Sequence, residues 1–193
     1  MPVIVSLLSL LTLHDGINAV IVHGWNYRRF ILEQLAVPKT MQGDGKSVFP
    51  GSLTSPLPDD LKEHQLALAE QELKYTLSKI ETNFSNFSAW HHRSLLLIPI
   101  WTAKGLDEAQ RRKEMDEEFE LIRQAMFVDP EDQSVWTYHS WLIGLGERCL
   151  LSNETRDVSD CFSFIVEPSA DVLEREIASM KELLELEPDS KCE

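Results

Sequence analysis

Basic residues are scarce in this chain: 18 Lys and Arg stand against 32 Asp and Glu among 193 residues, a formal net charge of −14. A phosphate contact needs a Lys or Arg, so a surface of this sign disfavours DNA, RNA and anionic lipid and repels a free diphosphate. No nucleic acid and no membrane insertion are expected. Cysteine is nearly absent. Cys149, Cys161 and Cys192 lie far apart without a CxxC or a zinc-finger spacing, which predicts reduced thiols and a cytoplasmic setting instead of a disulfide framework. The histidines offer no metal site either: His91 and His92 are adjacent, and neighbours on a helix diverge by about 100°. Long apolar runs are missing too. The opening MPVIVSLLSLLTL is too short to span a bilayer and lacks the basic start and cleavage site of a signal peptide. No Ser–His–Asp set or carboxylate pair stands out, so no catalytic, cofactor-binding or metal-binding residue is expected in this chain.

Strand alternation is the last absence, and helical periodicity takes its place. Leu66, Leu73, Leu77 and Ile80 stripe a helix over 61–82; Phe119, Ile122 and Met126 stripe one over 107–128. Leu173, Ile177, Met180 and Leu184 do the same over 171–187. Each pattern is that of a helix packed on neighbours. The stretch 37–60 holds Pro38, Pro50, Pro56 and Pro58 with several glycines, and reads as an inserted loop. A second loop is expected over 151–169, and the acidic run Glu114 to Glu120 reads as a solvated helix face.

An internal repeat carries more information. NFSNFSAWHHRSLLL and DPEDQSVWTYHSWLI align without gaps on Trp90 and Trp136, and HGWNYRRFIL joins them on Trp25. Four positions before the tryptophan stand Asn86 and Asp132, residues suited to cap a new helix by accepting free N–H groups. Three positions after it stand Arg28, Arg93 and His139, on the same helical face as the indole. The tryptophans are expected to fill the space between helices, and the Arg or His to donate to carbonyls at the end of an adjacent helix. Emptying the Trp90 site is expected to cost more than removing Arg93. Each unit is then a helical hairpin, and stacked hairpins make an all-α, right-handed solenoid.

The recurring N/D-x-S-x-W-x-x-R/H resembles the repeat of protein prenyltransferase α subunits. HGWNYRRF, NFSNFSAWHHRS, DPEDQSVWTYHSWL and KELLELEPDSK are most similar to the Rab geranylgeranyltransferase type. The resemblance divides the chain into a non-matching segment 1–22 and a repeat domain 23–193. It implies a heterodimer whose β subunit holds the zinc, the prenyl diphosphate pocket and most catalytic groups. The reaction it implies moves geranylgeranyl from its diphosphate to C-terminal cysteines of Rab proteins, presented by an escort protein. This chain would be the non-catalytic α subunit, inactive in isolation. His23 and Tyr27 lie where related α subunits face the β-subunit pocket. The family's lysine five positions before an early tryptophan has no basic counterpart here: Val20, Ser85 and Glu131 occupy those places. The chain reads as truncated, with 1–22 packing irregularly and both ends exposing apolar surface. Two other readings compete. One is the α subunit shared by farnesyltransferase and type I geranylgeranyltransferase. The other is a tetratricopeptide-like binding scaffold, whose period of roughly 34 residues is shorter than the spacings of 65 and 46 between these tryptophans.

Overall fold

Caps and turns divide this chain into helices before any long-range packing is considered. In the computed structural model, which describes residues 21–36, 49–54, 58–143 and 170–187, regular structure is helical throughout. The elements are α1 (Ile21–Ala36), a 3₁₀ turn (Gly51–Thr54), α2 (Asp59–Thr82), α3 (Phe87–Lys104), α4 (Glu108–Val128), α5 (Gln133–Ile143) and α6 (Ala170–Leu186). Asp107 opens α4 with a capping box, its side chain accepting from the Gln110 N–H while the Gln110 side chain accepts from its own. Between α3 and α4 the chain reverses at Gly105, which takes φ 64°, a left-handed conformation that favours glycine. There Gly105 N–H bonds the Thr102 carbonyl at 3.0 Å and Leu106 N–H the Trp101 carbonyl at 3.1 Å, closing the last turn of α3.

The links inside the hairpins repeat closely, differing only in which amide the capping side chain reaches. Asn83 Oδ1 accepts from Ser85 N–H at 3.1 Å, and Asp129 Oδ1 from Glu131 N–H at 3.2 Å. Asn86 then caps α3 by accepting from Ala89 N–H at 3.1 Å, and Asp132 accepts from Ser134 N–H at 2.6 Å at the start of α5. Both indoles reach back to the link: Trp90 Nε1–H donates to the Phe84 carbonyl and Trp136 Nε1–H to the Pro130 carbonyl, each at 2.7 Å. The Asn/Asp and Trp columns therefore encode one link used twice.

α2 pairs with α3 and α4 with α5 as hairpins; α1 lies against α2 and α3, α3 against α5, and α6 against α4. The result is a helical-repeat solenoid. One apolar core runs through Trp25, Ile80, Trp90, Trp101, Phe119, Ile122, Tyr138 and Leu183. A second joins Leu32, Phe49, Leu53, Ala69, Leu96 and Ile100.

Three sequence expectations change. On α2 the fully buried line is Gln65, Ala69, Glu72, Thr76 and Ile80, with Leu66, Leu73 and Leu77 half-buried beside it. Polar groups occupy the centre because partners for them arrive from neighbouring helices. On α6 the buried side is Glu176 and Leu183, while Leu173, Ile177 and Leu184 are exposed and Met180 is half-buried. The stretch 37–60 is not loop throughout. Phe49, Ser52 and Leu53 are buried; Ser52 Oγ donates to Gln65 Oε1 at 2.9 Å, and Gln65 Nε2 donates to the Ala36 carbonyl at 3.0 Å, closing the end of α1. Residues 1–20, 37–48, 55–57, 144–169 and 188–193, and with them Cys149, Cys161 and Cys192, lie outside the described residues. α1 starts at Ile21, so the last two residues of the segment set apart as 1–22 are helical.

Candidate functional site

The residues three positions after each tryptophan all point at a buried glutamate on the next hairpin's first helix. Arg28 of α1 holds Glu72 of α2 through Nε and Nη2 at 2.6 and 2.5 Å. Arg93 of α3 holds Glu118 of α4 in the same two-pronged way, at 2.8 and 2.5 Å. His139 of α5 holds Glu176 of α6 at 3.1 Å. A second donor comes from the second helix of the glutamate's own hairpin, two positions after its tryptophan. His92 Nε2 sits 3.0 Å from Glu72 Oε1, and Tyr138 O–H donates to Glu118 Oε2 at 2.7 Å. A carboxylate only accepts, so Nε2 carries the proton in His92 and His139.

Electrostatics follow from this geometry. Burial pushes the Glu72 carboxyl upward, but the hydrogen bonds from His92 and Arg28, with the charge of Arg28, outweigh it and hold the group below the ordinary carboxylate value. Burial alone would lower Arg93, yet its bonds and charge pairing with Glu118 raise it. Tyr138 is pushed well above the usual phenol value, first by burial and then by the Glu118 charge. Arg28 also lays its guanidinium 3.5 Å over the Tyr75 ring, a cation–π contact on the same buried site.

The expected residues are thus brought together, with one change of role. Arg28, Arg93 and His139 are buried as inter-repeat donors, but their main acceptors are glutamates instead of helix-end carbonyls. Arg93 adds a carbonyl, that of Leu73 within α2, at 3.1 Å. Trp25 and Trp90 are core residues, whereas Trp136 is half-buried. The rings explain the difference. His92 packs 5.4 Å from Trp25 and Tyr138 4.8 Å from Trp90, each one hairpin further on, and the described residues place no such ring from a further hairpin on Trp136. His91 is exposed and stacks on Phe87. His23 falls in the first turn of α1, its side chain outside the described residues, and Tyr27 is 46% exposed beside Phe30.

The glutamates were missed. Glu118 lies inside the acidic run read as a solvated face, and it is 5% exposed. The signal that finds them is a column: Glu72 precedes Trp90, and Glu118 precedes Trp136, by the same 18 positions. Chemically, the ladder holds helices in register. Among the described residues no three His, Cys, Asp or Glu side chains come together to hold a metal ion, and no helix is long and apolar enough to cross a membrane. The outer sides of α1 and α3 present exposed Tyr27, Phe30, Phe87 and Leu95, and Phe30 and Leu95 flank a groove of about 320 Å³ that also reaches Phe49 and His92.

Stacked two-helix repeats joined by tryptophan and carboxylate columns define a helical-repeat scaffold, and comparison with known proteins gives the class a family. The chain matches the protein prenyltransferase alpha subunit repeat over residues 69–98 and 115–145, the copies that carry Trp90 and Trp136. It is 32% identical over 176 residues, 89% of its length, to a geranylgeranyl transferase type-2 subunit alpha of Schizosaccharomyces pombe. Subunits of the same name from Sus scrofa and Saccharomyces cerevisiae are 34% and 33% identical over 78% and 63% of this chain. The chain belongs to the protein prenyltransferase α-subunit family, on the type-2 side of it. It spans 42%, 23% and 29% of the lengths of these three relatives. No solved structure matches it significantly.

Proposed function

We propose that this chain serves as α-subunit scaffold in a Rab-type protein geranylgeranyltransferase. It would hold a catalytic β subunit that transfers geranylgeranyl from its diphosphate to C-terminal cysteines of Rab proteins, delivered by an escort protein in the cytoplasm. The observation that carries the reading is the 32% identity to a type-2 α subunit over 89% of this chain, which spans the tryptophan columns. The geometry supports a scaffold role: its buried charges are spent on one another across hairpins, and the aromatics Tyr27 and Phe30 of α1 are exposed. Zinc and the reacting groups belong, on this reading, to the β subunit, and the chain alone performs no transfer. The position five before each tryptophan offers no lysine, Ser85 and Glu131 being neutral and acidic, so no diphosphate contact is assigned there.

Co-expression with a type-2 β subunit tests this. The expected outcome is co-purification of the two chains with zinc in the complex, no stoichiometric zinc in the chain alone, and weaker capture after Tyr27→Ser with Phe30→Ser. Failure to capture any prenyltransferase β subunit, or one tightly held zinc per isolated chain, overturns it. Capture only of a farnesyltransferase β subunit moves the chain to the other branch of the family.

A further inference from the structure

In the two closed hairpins one residue of the second helix serves both neighbours. His92 bonds Glu72 of its own hairpin and covers Trp25 of the preceding one; Tyr138 bonds Glu118 and covers Trp90. At the third junction the described residues supply only the first-helix half. Glu176 Oε2 is held by His139 at 3.1 Å, but among the described residues only Arg123, at 4.0 Å, reaches Oε1. Among the described residues no ring from a further hairpin covers Trp136, which is half-buried. The apolar columns tell the same story. Counted from the glutamate, Leu173, Ile177 and Leu184 occupy the places of Met115, Phe119 and Met126. Those three are 3%, 1% and 5% exposed in the hairpin closed by α5, against 36%, 52% and 43% on α6.

We propose that this face of α6 is a docking site for an amphipathic helix of the second-helix type, carrying a tryptophan with a Tyr or His two positions later. That Tyr or His would donate to Glu176 Oε1 and cover Trp136, while the helix's apolar side seats on Leu173, Ile177 and Leu184. The occupant follows from continuity: the seam that joins first to second helix in the closed hairpins runs on across α6 in the same register. A helix laid on a facing apolar stripe is a common recognition mode, and exposed apolar faces of this kind mark interaction sites. The inference stands apart from the transferase reading, since any stacked-hairpin scaffold with this register would share it.

A labelled synthetic peptide with the sequence of residues 129–143, in which Tyr138 follows Trp136 by two, is titrated into the full chain and followed by fluorescence anisotropy. Saturable one-to-one binding is expected. Ile177→Asp in the chain, at a position already exposed, should weaken it roughly tenfold or more by placing a charge in an apolar seam. Its helical circular dichroism should stay unchanged. A peptide with Tyr138→Phe should bind more weakly than the parent peptide to the unaltered chain, and that penalty should shrink on a chain carrying Glu176→Gln; a penalty undiminished there means that Glu176 is not the acceptor and overturns the proposed contact. Binding indifferent to Ile177→Asp, or no binding up to the peptide's solubility limit, overturns the proposal. So does a chain dimer that Ile177→Asp dissolves and the peptide cannot displace, which would assign the face to a second copy.

Discussion

The junction built on Glu118 and the one built on Glu176 use the same columns and reach different degrees of closure. Glu118 takes two nitrogens of Arg93 and the hydroxyl of Tyr138, three donors from two helices. Among the described residues Glu176 takes one imidazole nitrogen, with a guanidinium at 4.0 Å. A buried ion pair contributes little net stability compared with an apolar pair of the same shape, but losing one partner strands a charge. The ladder therefore acts on register more than on total stability. A hairpin that slid by one residue would bury a glutamate without its donor. Where donors are fewer, as at Glu176, that penalty is smaller and the junction is more open to exchange of partners.

The largest expected effect probes the closed junction. Arg93→Ala leaves Glu118 buried with only a phenol for company, and Glu118→Ala strands Arg93; either should cost about 3–5 kcal/mol in denaturant melts. Glu176→Ala should cost less, about 1–3 kcal/mol, because the partner it leaves is an imidazole that can stay neutral. Equal losses at the two junctions would break the comparison. This also revises the expected ranking of Arg93 below Trp90. Trp90→Ala empties a site that is 1% exposed, for about 3–5 kcal/mol, and Trp136→Ala roughly half that because its site is only half closed. Arg93 and Trp90 should thus prove comparable, since the arginine's acceptor is a carboxylate and not a carbonyl.

Why the tryptophans could be read from sequence and the glutamates could not is a matter of local signal. Trp90 lies about one turn from Asn86, and Trp136 from Asp132, so their capping and indole bonds are short-range and recur as an alignable string. The helices were legible for the same reason, through periodicity over successive turns. Glu72 and Glu118 meet donors 44 and 25 residues away, and their own surroundings in sequence are polar. Glu118 stands between Glu117 and Phe119, where a helix face turns from solvent to core within one residue. Hydropathy alone assigns that position to the wet side. The leucine stripe of α2 misleads in the mirror sense, since Leu66 and Leu73 flank a buried polar line. Which side of an amphipathic boundary is innermost depends on what the neighbouring helix brings, and that information lies on another helix.

A smaller effect comes from pH. The folded-state value of Glu72 is lowered, so its contribution is complete above the ordinary 4.5 and is lost as pH falls through the lower folded value. Tyr138 is raised, so the chain is unaffected below the ordinary 10.0 and loses stability as pH climbs beyond it. Acid and alkaline unfolding followed by circular dichroism should show both limbs. Glu72→Gln should flatten the acid limb while lowering stability at neutral pH, and Tyr138→Phe should soften the alkaline one. An acid limb unchanged by Glu72→Gln would place the sensitive carboxylates elsewhere.

The smallest effect is the sharpest test, because it compares two residues in one column. Phe119 and Ile177 each follow their glutamate by one position, on the side of the helix that a second helix covers in a closed hairpin. Phe119 is 1% exposed and Ile177 52%. Phe119→Ala should cost about 3–5 kcal/mol, the range for emptying a buried aromatic site. Ile177→Ala in the same background should stay within about 0.5 kcal/mol, as exposed substitutions do. The contrast does not depend on side-chain size alone, since an isoleucine truncated in a closed core would itself cost about 2–5 kcal/mol. A near-neutral Ile177→Ala means that the folded chain leaves this seam open and that its stability is set by the closed hairpins. A loss of several kcal/mol would mean that some part of the chain already covers α6, and the distinction between the closed and the open junction would disappear.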